Sequence, residues 1–118
     1  MTAPIDLRFD TITQPADAMR AATKPRHVAI FPTATLVEIE STHHRTGGVV
    51  VPQTLVLDLR AVVRELGLAS FLEAARLWKA SAATNTALDT LAAPFDWVAM
   101  AFSKGPGAPG GWMARGIQ

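Results

Sequence analysis

The densest group of side chains capable of chemistry lies around residue 40. Glu38 and Glu40 alternate with apolar residues, and His43, His44 and Arg45 follow directly. Carboxylates and imidazoles together can ligate a metal ion or transfer protons. Adjacent histidines on an extended chain point to opposite faces, so His43 and His44 do not readily share one ion. Because the spacing matches no defined metal site, we predict no metal here and interpret the group as a solvated strand face leading into a polar loop.

His27 is the other histidine that could act as a general base, since it begins a short apolar stretch beside Arg26. The alternative is a histidine held by a backbone carbonyl at the end of a strand. Asp6 and Asp10 share one face of a predicted strand, but they lie roughly 13 Å apart along it and cannot share a proton directly. The catalytic candidates are therefore weak ones: His27, His43, His44 and Glu40.

The sequence lacks the compact motifs that announce common enzyme classes. No glycine-rich loop leads from a strand into a helix, and neither a phosphate-binding loop with Lys and Ser/Thr nor a Gly-x-Ser-x-Gly turn occurs. The absence of cysteine excludes disulfides, thiolate nucleophiles and cysteine-ligated zinc. We therefore predict no cofactor and lean against an enzyme, although small enzymes often assemble their sites from isolated residues.

Charge argues against nucleic acid as a partner. The net charge is +1 and the arginines are scattered, whereas phosphate neutralisation requires a concentrated basic surface. Residues 59–79 resemble a helix-turn-helix around Gly67, but Glu73 and Arg76 would then fall at positions that need buried apolar anchors. No apolar run approaches the ~18 residues of a membrane span, and no signal peptide is recognisable, so we expect a cytoplasmic protein.

Residues 105–118 are rich in glycine and proline, which predicts a flexible arm following a single globular domain over residues 1–104. Trp112, Met113 and Ile117 lie in this arm. Because tryptophan is enriched at interface hot spots, we predict that these three residues bind a partner, with docking back onto the same chain as the alternative.

Hydropathy patterns predict the following elements along the chain. Period-two alternation indicates strands, predicted at 5–12, 27–31, 35–41, 49–51 and up to 57, and a long apolar stretch indicates a central strand at 95–102. Helices are predicted at 15–22, 58–66, from a capping box at Ser70 onward, and at 86–92. Gly67 supplies a left-handed stop.

This order of elements predicts an α+β fold with a mixed or antiparallel sheet of four or five strands and helices on one face. A ferredoxin-like arrangement fits it. Charged residues make up only 18% of the chain, which favours a surface covered by a second copy or a partner. The leading hypothesis is a non-enzymatic protein-interaction module of bacterial or phage origin that self-associates or docks a protein. The alternative is a small enzyme or ligand-binding protein using a histidine with a nearby carboxylate.

Overall fold

A computed structural model describes residues 15–24, 30 and 32–116. Within these residues the elements follow in the order α1 (Pro15–Ala22), β1 (Leu36–Glu40), a 3-10 turn (His44–Thr46), α2 (Gln53–Glu65), β2 (Ala69–Glu73), α3 (Leu77–Thr84), α4 (Leu88–Ala92), β3 (Trp97–Ala101) and β4 (Trp112–Gly116).

The four described strands form one sheet in the order β1-β2-β3-β4. β1 and β2 are parallel, β2 and β3 are parallel, and β4 runs antiparallel to β3. Parallel neighbours need a crossover, which α2 provides between β1 and β2 and which α3 and α4 provide between β2 and β3. The sheet is therefore of the α/β kind and mostly parallel.

The prediction of a mixed sheet of about four strands is confirmed, but the predicted α+β class is wrong, because helical crossovers join the parallel strands and the fold is therefore α/β. The ferredoxin-like arrangement is wrong, because that fold splits its βαβ units, whereas β1, β2 and β3 are adjacent in space in chain order. The predicted central position of the strand near residues 95–102 is also correct, since β3 lies between β2 and β4.

The core lies on one face of the sheet. Leu72 and Val98 are paired neighbours on β2 and β3, so their side chains share that face, and both are buried against residues of α2, α3 and α4. A second cluster joins α1 to α2 through Met19, Leu59 and Val62. Burial of these apolar side chains is the main term that holds the helices onto the sheet.

The opposite face of the sheet, here called the open face, is uncovered in the described residues. Leu36 of β1, Phe71 of β2, Trp97 of β3 and Trp112 of β4 belong to it by register and alternation. Leu36, Trp97 and Trp112 are 47%, 51% and 75% exposed. Parallel sheets ordinarily have both faces covered, so this exposure is unusual for the architecture.

Two segments of the chain have a secondary structure that differs from the predicted one. Residues 53–65 form a single helix, α2, although a strand was predicted up to residue 57; Val56 and Leu59 are both buried on its inner side. Ser70 does not cap a helix but lies in β2, where Ser70 and Leu72 are buried and their neighbours are half-buried. The local capping pattern is overridden by parallel pairing with β1 and β3.

Other predictions fare differently. Helix α1 matches its predicted range, and Gly67 does adopt a positive φ of 65° after α2. Val49 makes only an isolated bridge to His43 rather than starting a strand. Residues 112–116 pair with β3 as strand β4, where the sequence predicted a flexible arm, because the turn before them returns the chain beside β3. The predicted strands at 5–12 and 27–31 lie outside the described residues, apart from Ile30 in a turn.

Ser70 and Asp96 lock the amino-terminal ends of β2 and β3 together. The Ser70 backbone N–H and hydroxyl both donate to Asp96 Oδ2, at 2.7 and 2.8 Å, and the Asp96 N–H donates back to Ser70 Oγ at 3.0 Å. These hydrogen bonds, first the one from the Ser70 backbone, hold the pKa of Asp96 below its ordinary value, and the charges of Arg64 and Arg60 add to the effect.

We predict that Asp96→Asn lowers the free energy of unfolding by about 1 kcal/mol, because the buried Ser70 donors lose a charged acceptor. A carboxyl whose pKa is lowered by folding stabilises the fold above its unfolded pKa of about 3.9 and loses that contribution as the pH falls below it. Denaturant unfolding at several pH values should therefore show the two proteins converging below about pH 4. Asp58→Asn, on the exposed side of α2, is the control; an equal loss there would contradict the prediction.

Candidate functional site

The carboxyl ends of three parallel strands meet at one edge of the sheet. Glu40 ends β1, Glu73 ends β2, and Ala101 ends β3 just before the Phe102–Lys104 turn. In open α/β sheets, ligands bind outside the carboxyl ends of the strands, where loops and helix starts supply polar groups. This carboxyl edge is therefore the first place to look for a site.

A compact polar group follows β1. The His44 backbone N–H donates to Glu40 Oε1 at 3.2 Å, and His43 Nε2 lies 3.7 Å from Glu40 Oε2. On the other side of the ring, His43 Nδ1 lies 3.2 Å from Thr46 Oγ1, whose hydroxyl also donates to the His43 carbonyl at 3.2 Å. The imidazole of His43 is thus hydrogen-bonded through Nδ1, with Nε2 facing Glu40, and the residue is half-buried.

The turn that carries His43 closes because two glycines take conformations that other residues rarely adopt. Gly47 and Gly48 have φ of 81° and 83°, and the Gly48 N–H donates to the His43 carbonyl at 3.0 Å. The His43 N–H in turn donates to the Val49 carbonyl at 3.1 Å. The predicted polar loop is therefore present, closed by these two glycines, and its effect is to fix His43 at the sheet edge.

Glu73 places a second carboxylate next to Glu40. The two residues are directly paired in the β1–β2 register, so their side chains emerge on the same face, and both are half-buried. Like charges at paired positions destabilise a sheet. Beyond Glu73 come the buried Ala74 and Ala75, and then Arg76, half-buried at the start of α3.

Lys104 follows β3 at the same edge. It lies in the turn that joins β3 to β4, which is closed by hydrogen bonds from Phe102 N–H to the Gly111 carbonyl at 2.9 Å and from Ala108 N–H to the Phe102 carbonyl at 3.0 Å. The Lys104 side chain is exposed. The three strand ends therefore present an imidazole, a carboxylate pair, a guanidinium and a primary amine.

Trp78, on the first turn of α3, packs against this turn. A Cβ built on Gly105 would lie 2.1 Å from Trp78 Cδ1 and 2.7 Å from Cγ, so the backbone after Lys104 rests directly on the indole. The indole Nε1 is buried and has no hydrogen-bond partner in the part of the chain that the structure describes.

The candidates named from sequence are placed as follows. Glu40 and His43 come together, while His44 contributes its backbone N–H to Glu40 and leaves its side chain exposed. His27 and Ile117 lie outside the described residues. Trp112 and Met113 are exposed on β4, and their predicted role in binding a partner stays a prediction. In the described ranges no three histidine or acidic side chains are grouped so that they could hold a metal ion.

Sequence reasoning missed Lys104, Glu73 and Arg76. Glu73 was considered as part of a capping box and, with Arg76, as a misfit in a helix-turn-helix register, and Lys104 fell at the end of the predicted globular domain, just before the arm at 105–118. Their positions in the sequence could have identified them, because each residue follows an apolar, strand-like stretch. Lys104 lies between the apolar stretch at 95–102 and the glycine-rich residues that begin at 105. The prediction of a helix from Ser70 onward concealed the position of Glu73, because a helix there leaves no strand that could end at this residue.

Comparisons with known proteins identify the family to which the chain belongs. The family profile of the beta-eliminating lyases matches residues 22–115. The chain is 34% identical over 86 residues to an uncharacterised protein of Caenorhabditis elegans, covering 73% of this chain and 21% of that protein. It is 43% identical over 72 residues to the aldolase vrtJ of Penicillium aethiopicum, covering 61% and 19%, and 29% identical over 107 residues to low-specificity L-threonine aldolase 1 of Arabidopsis thaliana, covering 90% and 30%.

Solved structures show the same fold. A protein from Listeria monocytogenes, provisionally assigned as an L-allo-threonine aldolase, superposes with a TM-score of 0.72 at 24% identity, over 85% of this chain and 26% of that one. The threonine aldolase of Leishmania major gives a TM-score of 0.67 at 23% identity, over 84% and 28%. The four-stranded sheet is thus part of a larger fold that these two proteins share.

The chain spans between about a fifth and a third of the length of these relatives. No helix in the described ranges is long and apolar enough to cross a bilayer. The sequence-based hypothesis of a non-enzymatic interaction module is wrong, and so is the inclination against an enzyme, because the match covers most of the chain and the family is one of lyases. The alternative of an enzyme is the better supported. This chain belongs to the beta-eliminating lyase family, whose members depend on pyridoxal phosphate.

Proposed function

We propose that this chain supplies the lysine-bearing part of the active site of a pyridoxal-phosphate-dependent lyase that cleaves β-hydroxy-α-amino acids. The observation that carries the proposal is the position of Lys104 at the carboxyl end of β3, beside the strand ends that carry Glu73 and His43. The substrate class follows from two relatives that are named as aldolases, one of them a threonine aldolase.

The residues at the carboxyl edge fit the cofactor. Enzymes of this kind attach pyridoxal phosphate to a lysine amine and pair its pyridine nitrogen with a charged side chain, often an aspartate. The chain has three lysines, Lys24, Lys79 and Lys104, and of these Lys104 alone follows a strand at that edge. Glu73, at the end of the middle strand of the parallel trio, is the acid placed to pair with the nitrogen.

When bound, pyridoxal phosphate supplies an electron sink for bond cleavage at the substrate's α-carbon. Side chains of this chain would hold the cofactor, act as the base and bind the substrate carboxylate. The Lys104 amine would hold the cofactor. The His43 imidazole, oriented by Thr46 and Glu40, is a base suited to the substrate hydroxyl. Arg76, with its planar set of donors, is suited to the substrate carboxylate.

We expect the full chain, incubated with pyridoxal phosphate and reduced with borohydride, to carry the label at Lys104. Peptide mapping by mass spectrometry identifies the modified lysine. Lys104→Ala should lose most of the label, whereas Lys79→Ala, which removes an exposed lysine of α3, should keep it.

Equal labelling of Lys24, Lys79 and Lys104 would contradict the assignment of the cofactor lysine. Release of glycine from threonine or allo-threonine by the loaded chain tests the lyase separately. Label at Lys104 without cleavage of either amino acid would leave the cofactor site standing and overturn the proposed reaction for this chain.

Glu73→Gln should weaken retention of pyridoxal phosphate about tenfold or more, because a charge-assisted hydrogen bond contributes roughly 1.5–3 kcal/mol and tenfold corresponds to about 1.4. Equilibrium dialysis measures the change. Glu38→Gln, an exposed acid earlier on the same face of the sheet, is the matched control. Equal dissociation constants for the Glu73 variant and the unmodified chain would exclude Glu73 as the pyridine partner.

A further inference from the structure

Backbone conformation does not explain why a glycine stands at position 105, where the chain contacts Trp78. Gly105 is not among the glycines with positive φ, so its lack of a side chain is required by space. Its hypothetical Cβ would overlap Trp78 Cδ1, Cγ and Cβ at 2.1, 2.7 and 2.8 Å, well inside the 3.4–4 Å of an ordinary contact. The chain immediately after Lys104 therefore lies as close to the indole as a backbone can.

The indole is mounted on a rigid part of the fold. Trp78 stands between Leu77, 2% exposed, and Ala80, fully buried, in α3. The Leu77 N–H donates to the Ala74 carbonyl at 3.1 Å, and the Ala74 N–H donates to the Ala99 carbonyl of β3 at 2.8 Å. Helix α3 is thus tied by backbone hydrogen bonds to the strand that leads into Lys104, so the indole surface and the end of β3 keep a fixed relation.

The contact with Gly105 depends on the ring of Trp78 and not on its nitrogen. The atoms nearest the hypothetical Cβ are Trp78 Cδ1, Cγ and Cβ, and a phenylalanine at this position would offer the same three. The indole Nε1, which is buried without an acceptor among the described residues, takes no part in the contact.

We propose that Trp78 is a positioning residue for Lys104. Its ring is the surface against which the Gly105 backbone rests, and this contact fixes where the turn leaves β3 and where the Lys104 amine stands at the carboxyl edge. The inference rests on the proposed function, since it concerns the lysine assigned there to the cofactor. A misplacement of about 1 Å at such a group is enough to lower a reaction rate about 100-fold.

The test uses the full chain and pyridoxal phosphate, and it measures the rate of borohydride-trapped label at Lys104 relative to Lys79 in the same sample. We expect Trp78→Ala and Gly105→Ala each to lower this ratio about 10- to 100-fold. Trp78→Phe, which keeps the three contact atoms, should keep the ratio. The double variant W78A/G105A should show no further loss beyond W78A, because the added methyl enters vacated space and the two effects are then non-additive.

Trp97→Ala is the matched control. The Trp97 ring packs on Gly116, 3.1–3.4 Å from a hypothetical Cβ, and so forms a second tryptophan–glycine contact away from Lys104. Its removal should shift the melting temperature without moving the labelling ratio. A merely structural role for Trp78 would give the same pattern as Trp97.

If the unmodified chain is labelled at Lys104 and the Lys104-to-Lys79 ratio is unchanged in W78A and G105A, the positioning role of Trp78 is overturned and the proposed function stays intact. Absence of Lys104 label in the unmodified chain would overturn the proposed function and this inference with it. If W78A does not fold, the test still rests on three proteins: the unmodified chain, Trp78→Phe and G105A. A labelling ratio in G105A equal to that of the unmodified chain would then refute the positioning role of Trp78.

Discussion

Parallel pairing of β1, β2 and β3 is the constraint on which the rest of this structure depends. Because parallel neighbours must be joined by crossovers, the chain places α2, α3 and α4 between them, and their apolar sides bury one face of the sheet. The same pairing sends three strand ends to one edge. The groups that could perform chemistry are far apart in sequence, and this edge is where they become neighbours.

The two ends of the sheet are built differently. At the amino-terminal end, Ser70 and Asp96 exchange several hydrogen bonds that fix β2 against β3. At the carboxyl end, Glu40 and Glu73 stand side by side with like charge, which costs stability. Among the described contacts of this pair, the Glu40 carboxylate accepts a hydrogen bond from the His44 N–H and lies 3.7 Å from His43 Nε2. Local conflict of this kind is expected where residues are kept for function.

Close contact between tryptophan rings and glycine backbone recurs in this fold. Trp97 covers Gly116 across the β3–β4 pair, and Trp78 covers Gly105 beyond the end of β3. The first contact covers a glycine in the edge strand with an aromatic ring. The second contact lies in the turn that carries Lys104, next to the candidate site. The exposure of the open face fits a sheet that, in the longer relatives, belongs to a much larger polypeptide.

The sequence by itself determined the helix at 15–22, the strand near 35–41, the polar loop after it, the stop at Gly67 and the interior strand near 95–102. These depend on local periodicity and on glycine conformation, which neighbours in space change little. The sequence also brought His43 and Glu40 to attention. It did not reveal the strand at Ala69–Glu73 or the position of Lys104 at the same edge of the sheet as Glu73.

Only the tertiary structure decided those points, for a physical reason. Ser70 and Glu73 satisfy a helix-capping pattern locally, yet parallel hydrogen bonding to β1 and β3 and the exchange with Asp96 outweigh a cap of about 1 kcal/mol. Once residues 69–73 are a strand, Glu73 and Arg76 stand at its carboxyl end beside Glu40 and the Lys104 turn. A set of residues spread over more than sixty positions is invisible to periodicity, because their proximity is created by strand order and not by spacing along the chain.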